Sequence, residues 1–403
     1  MMKRTMVIMR VVVLLLVVTL EILVVAPRVV ESSSWVYEKG TKKQQKIIRT
    51  DRPVIGVLTL PEPACLHYGK QSIVTSNVRW IQAGGARVVP VFYDSTDDEL
   101  DYILHRINGI FFTGGAVSYN PTRTDEHDDP SGSLYLRTTE RILWHVQEEN
   151  ENGNYFPLWA TCLGFERLLE HVAAAKKKDA PATNATSSTI LESVDAENYP
   201  INLNFTDAGW ESRLFGSMSD DLFKEVASPV GRLAFNNHGL GIHPETFASY
   251  RALTEEIAVL TIDKDRNGKS FVSTIEGKKA PIYGTQWHPE KPPSEWNPQW
   301  RIARSEKAIE MSNFMGRFFV NECKYNKNEF EDENTLRKHL LTNRVSLSGA
   351  SLLDIDPSLD MPFTEIYCFG NARHNPSSDP RHPAAASLTS SNSSSQQSQK
   401  MIQ

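Results

Sequence analysis

The sequence predicts an α/β fold, with a mostly parallel sheet flanked by helices on both faces and an antiparallel extension. Two observations predict it. From residue 53 to about residue 170, short apolar runs alternate with longer helical patterns, which is typical of consecutive strand–helix units. From about residue 201 to 276 this alternation stops, and an apolar run at 271–275 follows a polar turn at 265–268. The second pattern favours antiparallel strands added to the parallel sheet.

Each element of the parallel part has its own signal. Gly84 and Gly85 end the first predicted helix, and acidic residues open the second. Because the active site of such a sheet lies at the carboxyl ends of its strands, functional residues are expected where the strands end. The predicted strands are 54–58, 87–92, 109–112 and 156–160, and the predicted helices are 73–83, 97–107, 133–149 and a helix beginning near residue 165.

The rest of the chain divides into one closing helix and several peripheral segments. An amphipathic stretch at 306–319 predicts a helix that completes the core. A highly charged stretch at 326–343 predicts a surface helix, and residues 361–369 alternate loosely, as in a strand. Residues 173–200 are small, charged and polar, which predicts a surface insertion.

The two ends of the chain predict three regions. Lys3, Arg4 and Arg10 precede an apolar run at 11–20, which is typical of a secretory signal, so residues 1–32 are predicted to be a signal peptide. The apolar sequence resumes after Glu21, which leaves a signal anchor as the alternative. Residues 33–370 would form the folded domain. Residues 371–403 are rich in Ser, Pro, Asn and Gln and predict a disordered tail.

Composition and modification signals agree with a secreted or luminal protein. The 403-residue chain has a formal net charge of −6, so it lacks the excess of basic residues that is typical of a protein that binds nucleic acid. Asn184 and Asn204 begin N-glycosylation triplets, as does Asn392 in the tail. We therefore expect the secretory pathway, with a vacuolar, lysosomal or extracellular destination and no stable membrane association once the signal is removed. The sequence leaves a homodimer open.

Cys162 lies in the pattern of a nucleophile elbow. It follows the predicted strand 156–160 and precedes a helix, within a small-x-Cys-x-Gly sequence that contains Ala160 and Gly164. Small residues permit the tight turn, and the N–H groups at the helix start favour the thiolate over the thiol. The alternative is a buried structural cysteine. If Cys162 is catalytic, the other three cysteines form at most one bridge, whose pair stays open: Cys65, Cys323 and Cys368.

A second segment supplies the partners that such a nucleophile needs. Residues 281–290 predict a short strand that ends in His288-x-Glu290. Residues two apart in an extended chain point to the same side, so the carboxylate can orient the imidazole. Cys162, His288 and Glu290 would then be nucleophile, base and orienting group.

Together, the Cys-x-Gly-Phe-Glu sequence at 162–166 and the Gln-Trp-His-Pro-Glu sequence at 286–290 resemble the class I glutamine amidotransferase-like superfamily, whose sheet is flavodoxin-like. Within it, the chain is most similar to the gamma-glutamyl hydrolases, from about residue 52 to 369. The resemblance implies a cysteine hydrolase that cleaves folylpoly-γ-glutamates, a small-molecule substrate, through a thioester and without a metal or cofactor. The chain departs from the family at Ala160, where Gly is usual.

The resemblance also implies roles for other residues. Gly115 and Leu163 would donate backbone N–H groups to an oxyanion hole, with Gly114 beside them. His238, in an Asn-His-Gly sequence, would contact substrate or assist the chemistry. Arg79 stands where the family has Lys in a Ser-Tyr-Val-Lys sequence, and the missing aromatic at Asn77 alters the substrate packing. The implied substrate contacts are His238, Arg79, Gly114 and Glu166, and a capping or surface role for Glu166 is the alternative.

Two other functions compete with this hypothesis. A glutaminase that feeds ammonia to a synthase would use the same three catalytic residues, but the predicted signal peptide and the lack of a synthase domain count against it. A non-catalytic glycoprotein on the same fold is the other alternative, and the intact Cys, His and Glu set argues against it.

Overall fold

The computed structural model describes residues 47–117, 131–174, 190–359 and 362–370. The predicted signal peptide, the predicted tail and the triplet at Asn184 lie outside these ranges, so they stay predictions. In the described part of the chain, no helix is both long and apolar enough to span a membrane.

The strands of the described residues are β1 Val54–Leu58, β2 Leu60–Pro61, β3 Gln71–Val74, β4 Arg87–Val91, β5 Gly109–Phe112, β6 Leu158–Thr161, β7 Glu192–Ile201, β8 Ala234–Gly241, β9 Ile257–Lys264, β10 Ser270–Gly277, β11 Ile282–Thr285, β12 Leu347–Ser348 and β13 Glu365–Phe369. Seven of them form the central sheet, in the order β4-β1-β5-β6-β11-β10-β9. The first five are mutually parallel, and β10 runs antiparallel to both of its neighbours. This confirms the mostly parallel sheet and its antiparallel extension.

Helices cover both faces of this sheet. In the described residues they are α1 Thr75–Ala83, α2 Asp97–Leu104, α3 Ser131–Glu151, α4 Leu163–Ala174, α5 Asp207–Trp210, α6 Asp220–Ala227, α7 Pro244–Ser249, α8 Arg251–Glu256, α9 Glu306–Cys323, α10 Glu333–His339 and α11 Gly349–Ile355. Apolar side chains of α2, α3 and α4 pack in one buried cluster, and those of α1 and α9 pack in the other. Thr96 and Glu99 form a capping box at the start of α2, as its acidic first turn suggested.

Two smaller antiparallel sheets flank the central one. Strands β7 and β8 form a two-stranded ribbon, and β12, β13, β3 and β2 form a four-stranded sheet in that order. A disulfide between Cys65 and Cys368 joins the 3₁₀ helix Pro63–Tyr68 to β13, and Cys323 is a buried free cysteine. The structure thus selects the pair that the sequence left open.

Several predicted boundaries were wrong. The first helix begins at Thr75 rather than residue 73, because Gln71–Val74 pairs with β13. The strand β7, Glu192–Ile201, begins inside the predicted surface insertion 173–200, and its partner β8 lies about forty residues later. The charged stretch 326–343 contains only the short helix α10 and a 3₁₀ turn, since its polar residues bury little surface.

Candidate active site

Three neighbouring strands end together at the carboxyl edge of the sheet. In the register, Phe112 of β5 pairs with Ala160 of β6, and Thr161 pairs with Thr285 of β11. The chain segments that follow these strands therefore start side by side. They carry Gly114 and Gly115, Cys162, and the His288–Glu290 segment, so the structure brings together the residues that the sequence predicted.

Cys162 forms a sharp turn between β6 and α4. Its φ is 51°, a left-handed conformation that is uncommon for residues other than glycine. The turn is held because the Cys162 N–H donates to Thr285 O at 2.9 Å, and the Cys162 carbonyl accepts from Glu166 N at 2.9 Å. Gly164 lets α4 pack closely, since a Cβ there would lie 2.6 Å from Phe112 Cβ. This strained strand–turn–helix has the geometry of a nucleophile elbow.

Two backbone N–H groups lie close to the buried Cys162 sulfur. Burial, reinforced by the nearby Glu166, raises the pKa of the Cys162 thiol, while the N–H groups of Leu163 and Gly115 act in the opposite direction. These two N–H groups are the pair to which the family resemblance gave the role of an oxyanion hole. The expectation that the helix start favours a thiolate is outweighed here, because desolvation disfavours the charged sulfur. A base is therefore needed to take the proton.

His288 and Glu290 form the pair that the sequence predicted as that base and its orienting group. His288 Nδ1 lies 2.8 Å from Glu290 Oε1, and the Glu290 side chain is only 1% exposed. Burial alone would raise the pKa of Glu290, but His288 and Lys291 hold it below its usual value. The predicted reason for the pairing was wrong, because β11 ends at Thr285 and both residues lie in the turn that follows.

Gly114 fits between the nucleophile and the base. A Cβ on Gly114 would lie 2.5 Å from His288 Cε1 and 3.0 Å from Cys162 Cβ. The imidazole and the Cys162 side chain therefore flank one point that a methyl group would fill. We conclude that the absence of a side chain here permits the close approach of base and nucleophile.

His238 lies on β8, beside the two catalytic segments. Its Nδ1 is 2.7 Å from Leu240 O, and its Nε2 is 3.0 Å from Asn236 Oδ1. Burial lowers the pKa of His238 to about 4, and the neighbouring His288 contributes in the same direction. Both ring nitrogens thus have protein partners, and the implied contact with substrate stays a prediction.

The other implied substrate contacts lie in different surroundings. Glu166 is buried, its Oε1 accepts from Gln286 Nε2 at 2.9 Å, and burial raises its pKa to about 7. Arg79 is exposed on α1 and forms an ion pair with Glu365 of β13. Its guanidinium therefore already has an anionic partner, and a role in binding a substrate carboxylate stays a prediction.

Three further residues at the site had no role in the sequence interpretation. Gln286 holds Glu166, the Asn237 carbonyl lies 4.0 Å from Cys162 Sγ, and Lys291 lies 3.8 Å from Glu290. Gln286 and Lys291 lie on either side of the His-Pro-Glu sequence, and their place beside this motif could have identified them from the sequence. Asn237 belongs to the Asn-His-Gly sequence that marked His238, and β8 brings it in from a distant part of the chain. Over the described ranges, no three His, Cys, Asp or Glu side chains are grouped to hold a metal.

Comparisons with known proteins show which family the chain resembles. A family model for peptidase C26 matches residues 53–209. Gamma-glutamyl hydrolase B of Dictyostelium discoideum is 36% identical, over 74% of this chain and 80% of that protein. Gamma-glutamyl hydrolase of Homo sapiens is 32% identical, over 72% of this chain and 83% of that protein. The probable gamma-glutamyl hydrolase 3 of Arabidopsis thaliana is 31% identical, over 74% and 80%.

A solved structure also aligns with most of the chain. It is that of a putative GMP synthase subunit from Thermoplasma acidophilum, which is 15% identical and covers 68% of this chain and 95% of its own. The TM-score of this alignment is 0.38.

Proposed function

The chain belongs to the gamma-glutamyl hydrolase family, and from this premise we propose that it cleaves the γ-glutamyl bonds of folylpoly-γ-glutamates with Cys162 as nucleophile. One observation carries the proposal. The elbow cysteine, the His288–Glu290 pair at 2.8 Å and the two N–H groups that face the sulfur meet at one edge of the sheet. This arrangement contains a nucleophile, an oriented base and an oxyanion hole.

In the first half of the reaction, the enzyme is acylated. His288 takes the proton of the Cys162 thiol while the sulfur attacks the γ-carbonyl carbon of the substrate. The N–H groups of Gly115 and Leu163 stabilise the negative oxygen that forms. When the carbon–nitrogen bond breaks, His288 gives its proton to the departing glutamate nitrogen. The remaining γ-glutamyl group is then a thioester on Cys162.

In the second half, water releases the product. His288 takes a proton from the water as its oxygen adds to the thioester carbon, and the oxyanion hole is used again. The carbon–sulfur bond breaks, the γ-carboxyl group leaves, and Cys162 recovers its proton from His288. Throughout both halves, Glu290 holds the imidazole in the tautomer that keeps Nε2 available.

Substitution of the three catalytic residues tests this mechanism. We expect Cys162→Ala to abolish turnover of pteroylpentaglutamate and His288→Asn to do nearly the same, with a smaller loss in Glu290→Ala because an orienting group contributes less than the nucleophile. Circular dichroism of each variant checks that it folds. Full activity of Cys162→Ala would rule out the cysteine-hydrolase mechanism.

The substrate is tested by a direct comparison of two amides. The scissile amide of a γ-linked tail resembles the side-chain amide of glutamine, so only the surrounding pocket distinguishes them. We expect the purified protein to release glutamate or short γ-glutamates from pteroylpentaglutamate, and to release little ammonia from free glutamine, both followed by chromatography. Rapid ammonia release with an intact pentaglutamate would favour the glutaminase instead.

We also propose that the protein passes through the secretory pathway. Asn204 is exposed, and its triplet Thr206 begins α5 as the N-cap. One Asn204 Nδ2 hydrogen donates to Asp263 Oδ1 at 2.9 Å, which leaves the other replaceable by a glycan. We expect the protein from eukaryotic cells to begin near residue 33 and to lose mass on endoglycosidase treatment, with a smaller loss in Asn204→Gln. An unglycosylated chain that retains Met1 would contradict this.

A further inference from the structure

Lys291 is a buried cation next to Glu290, the residue that orients His288. Its side chain is only 4% exposed, and its Nζ lies 3.8 Å from Glu290 Oε1 and 4.0 Å from Glu295 Oε2. Both acids are 1% exposed. Buried charges are costly unless they are paired, so this lysine and these two carboxylates depend on one another.

Contacts from several segments set the position of this ammonium group. Ser76 of α1 accepts a hydrogen bond from Lys291 Nζ at 3.3 Å. The rings of Trp300 and Phe363 lie against Nζ, with centroids at 5.4 and 5.1 Å. Aromatic faces attract a cation, so they hold the ammonium and shield it from solvent. Lys291 therefore has one defined place in the fold.

That place is beside the oxygen that orients His288. Glu290 Oε1 both accepts from His288 Nδ1 and faces Lys291, while Glu290 Oε2 has no hydrogen-bond partner in the described part of the chain. Without a nearby cation, such a buried carboxyl would tend to be neutral. A neutral carboxyl would hold the imidazole less firmly.

We propose that Lys291 is a positioning residue for hydrolysis, whose ammonium keeps the Glu290 carboxylate charged and directed at His288. This inference rests on the proposed function, because it assigns a role within the same site. A direct contact between Lys291 and a substrate carboxylate is disfavoured, since two buried carboxylates already face the ammonium. Three other titratable groups interact electrostatically with this array: Cys162 with Glu290, His238 with His288, and Arg304 with Glu295.

The test removes the charge and follows the pH dependence of the site. In Lys291→Met, we expect the acid limb of kcat/KM on pteroylpentaglutamate to move up by about one pH unit, because Glu290 loses a cation within 4 Å. At the wild-type optimum, kcat should fall about tenfold or more, with a smaller change in KM. Lys291→Arg, which keeps the charge, should recover most of the wild-type profile. Lys307→Met is the matched control, because Lys307 pairs with Asp221 and Glu310 away from the site.

A second readout separates this inference from the proposed function. The rate at which iodoacetamide alkylates Cys162, measured by mass spectrometry across pH, requires no substrate. Its acid limb should also move up in Lys291→Met. If the wild-type protein left pteroylpentaglutamate intact while this shift occurred, the substrate assignment would fail and the role of Lys291 would stand.

Lys291→Met leaves two buried carboxylates without the lysine that they face, and Glu295→Gln avoids this effect. Its amide oxygen can still accept from Thr364, as Glu295 does, while the competing negative charge is lost. The positive charge of Lys291 then stabilises the Glu290 carboxylate more strongly. The acid limbs of the kcat/KM profile and of the alkylation profile should therefore both move to lower pH. The proposal would be overturned if the acid limbs of both pH profiles stayed at the wild-type position in Lys291→Met and in Glu295→Gln. A rise in KM with unchanged kcat in Lys291→Met would also overturn it.

Discussion

Gly114 has no side chain, and this leaves room for the side chains of His288 and Cys162 to lie close together. His288 Cε1 and Cys162 Cβ both lie within 3.0 Å of the point that a Cβ would occupy. One neighbour is a ring fixed by Glu290, and the other belongs to a strained turn, so neither can move without losing catalytic geometry. At the scale of the residue, the site is therefore controlled by steric room as well as by acids and bases.

Gly114→Ala tests this steric requirement. We expect kcat to fall about 100-fold, because a displacement of the base by about 1 Å has that cost, while the fold stays intact. Gly239→Ala is the matched control, since a Cβ there meets only Glu197 Oε1, at 3.4 Å, which is ordinary contact. Steady-state kinetics and a thermal melt of both variants give the comparison. Wild-type kcat in Gly114→Ala would contradict the packing described here.

Two elements outside the parallel sheet complete the site. Strand β8 brings Asn237 and His238 beside Cys162, and the chain before β13 holds the turn that follows β11. The Thr364 N–H donates to Glu295 Oε1 at 2.9 Å, and Cys368 of β13 is tied to Cys65. The C-terminal strand thus connects the disulfide to the turn that carries Glu290 and Lys291.

Loss of the Cys65–Cys368 disulfide should loosen this element. The bridge spans 303 residues of sequence, so its removal frees a long loop in the unfolded chain. We expect the double variant Cys65→Ser/Cys368→Ser to lose about 2–4 kcal/mol of unfolding free energy. Chemical denaturation measures the loss, and Cys323→Ala is the control because Cys323 is unbridged. If dithiothreitol leaves the wild-type melting temperature unchanged, the bridge does not form.

Buried titratable groups influence how the stability of the whole molecule changes with pH, and the histidines and the acids act in opposite directions. Burial lowers the pKa of His145 and of His238 to about 4, below the value near 6.5 expected when unfolded. Their contribution to stability is present above pH 6.5 and is lost as the pH falls towards 4. Burial raises the pKa of Glu166 to about 7 and of Asp263 to about 6. Their contribution is present at low pH and is lost as the pH rises through those values.

Replacement of one histidine should change this balance in a defined direction. Between pH 6.5 and 4, His145→Gln is expected to lose less stability than the wild type, because it lacks one group that the unfolded state protonates first. Melting temperatures recorded every half pH unit provide the measurement. A steeper fall in the variant than in the wild type would show that His145 is not a buried neutral histidine.

The sequence by itself determined the parallel core and pointed to the residues that the structure brings together at its edge. Strands Val54–Leu58 and Gly109–Phe112 were predicted with their observed bounds, because an apolar run between turn residues is a local signal. The elbow at Cys162 was equally local, since it needs only a strand, small residues and a helix in succession. The family resemblance added Gly115 and Leu163, and their N–H groups do face the sulfur.

Only the tertiary structure decided which distant segments meet. Strand β7 looked like a polar insertion because its partner β8 lies far along the chain, and the Cys65–Cys368 pair is separated by 303 residues. His288 and Glu290 meet through a turn rather than through strand alternation. The burial of Lys291 between two acids depends on α1 and on the chain before β13. Hydrophobic periodicity indicates which face of an element is buried, but not which other element covers that face. Contacts between distant segments form only when the folded chain excludes water around them, so the sequence pattern does not predict them.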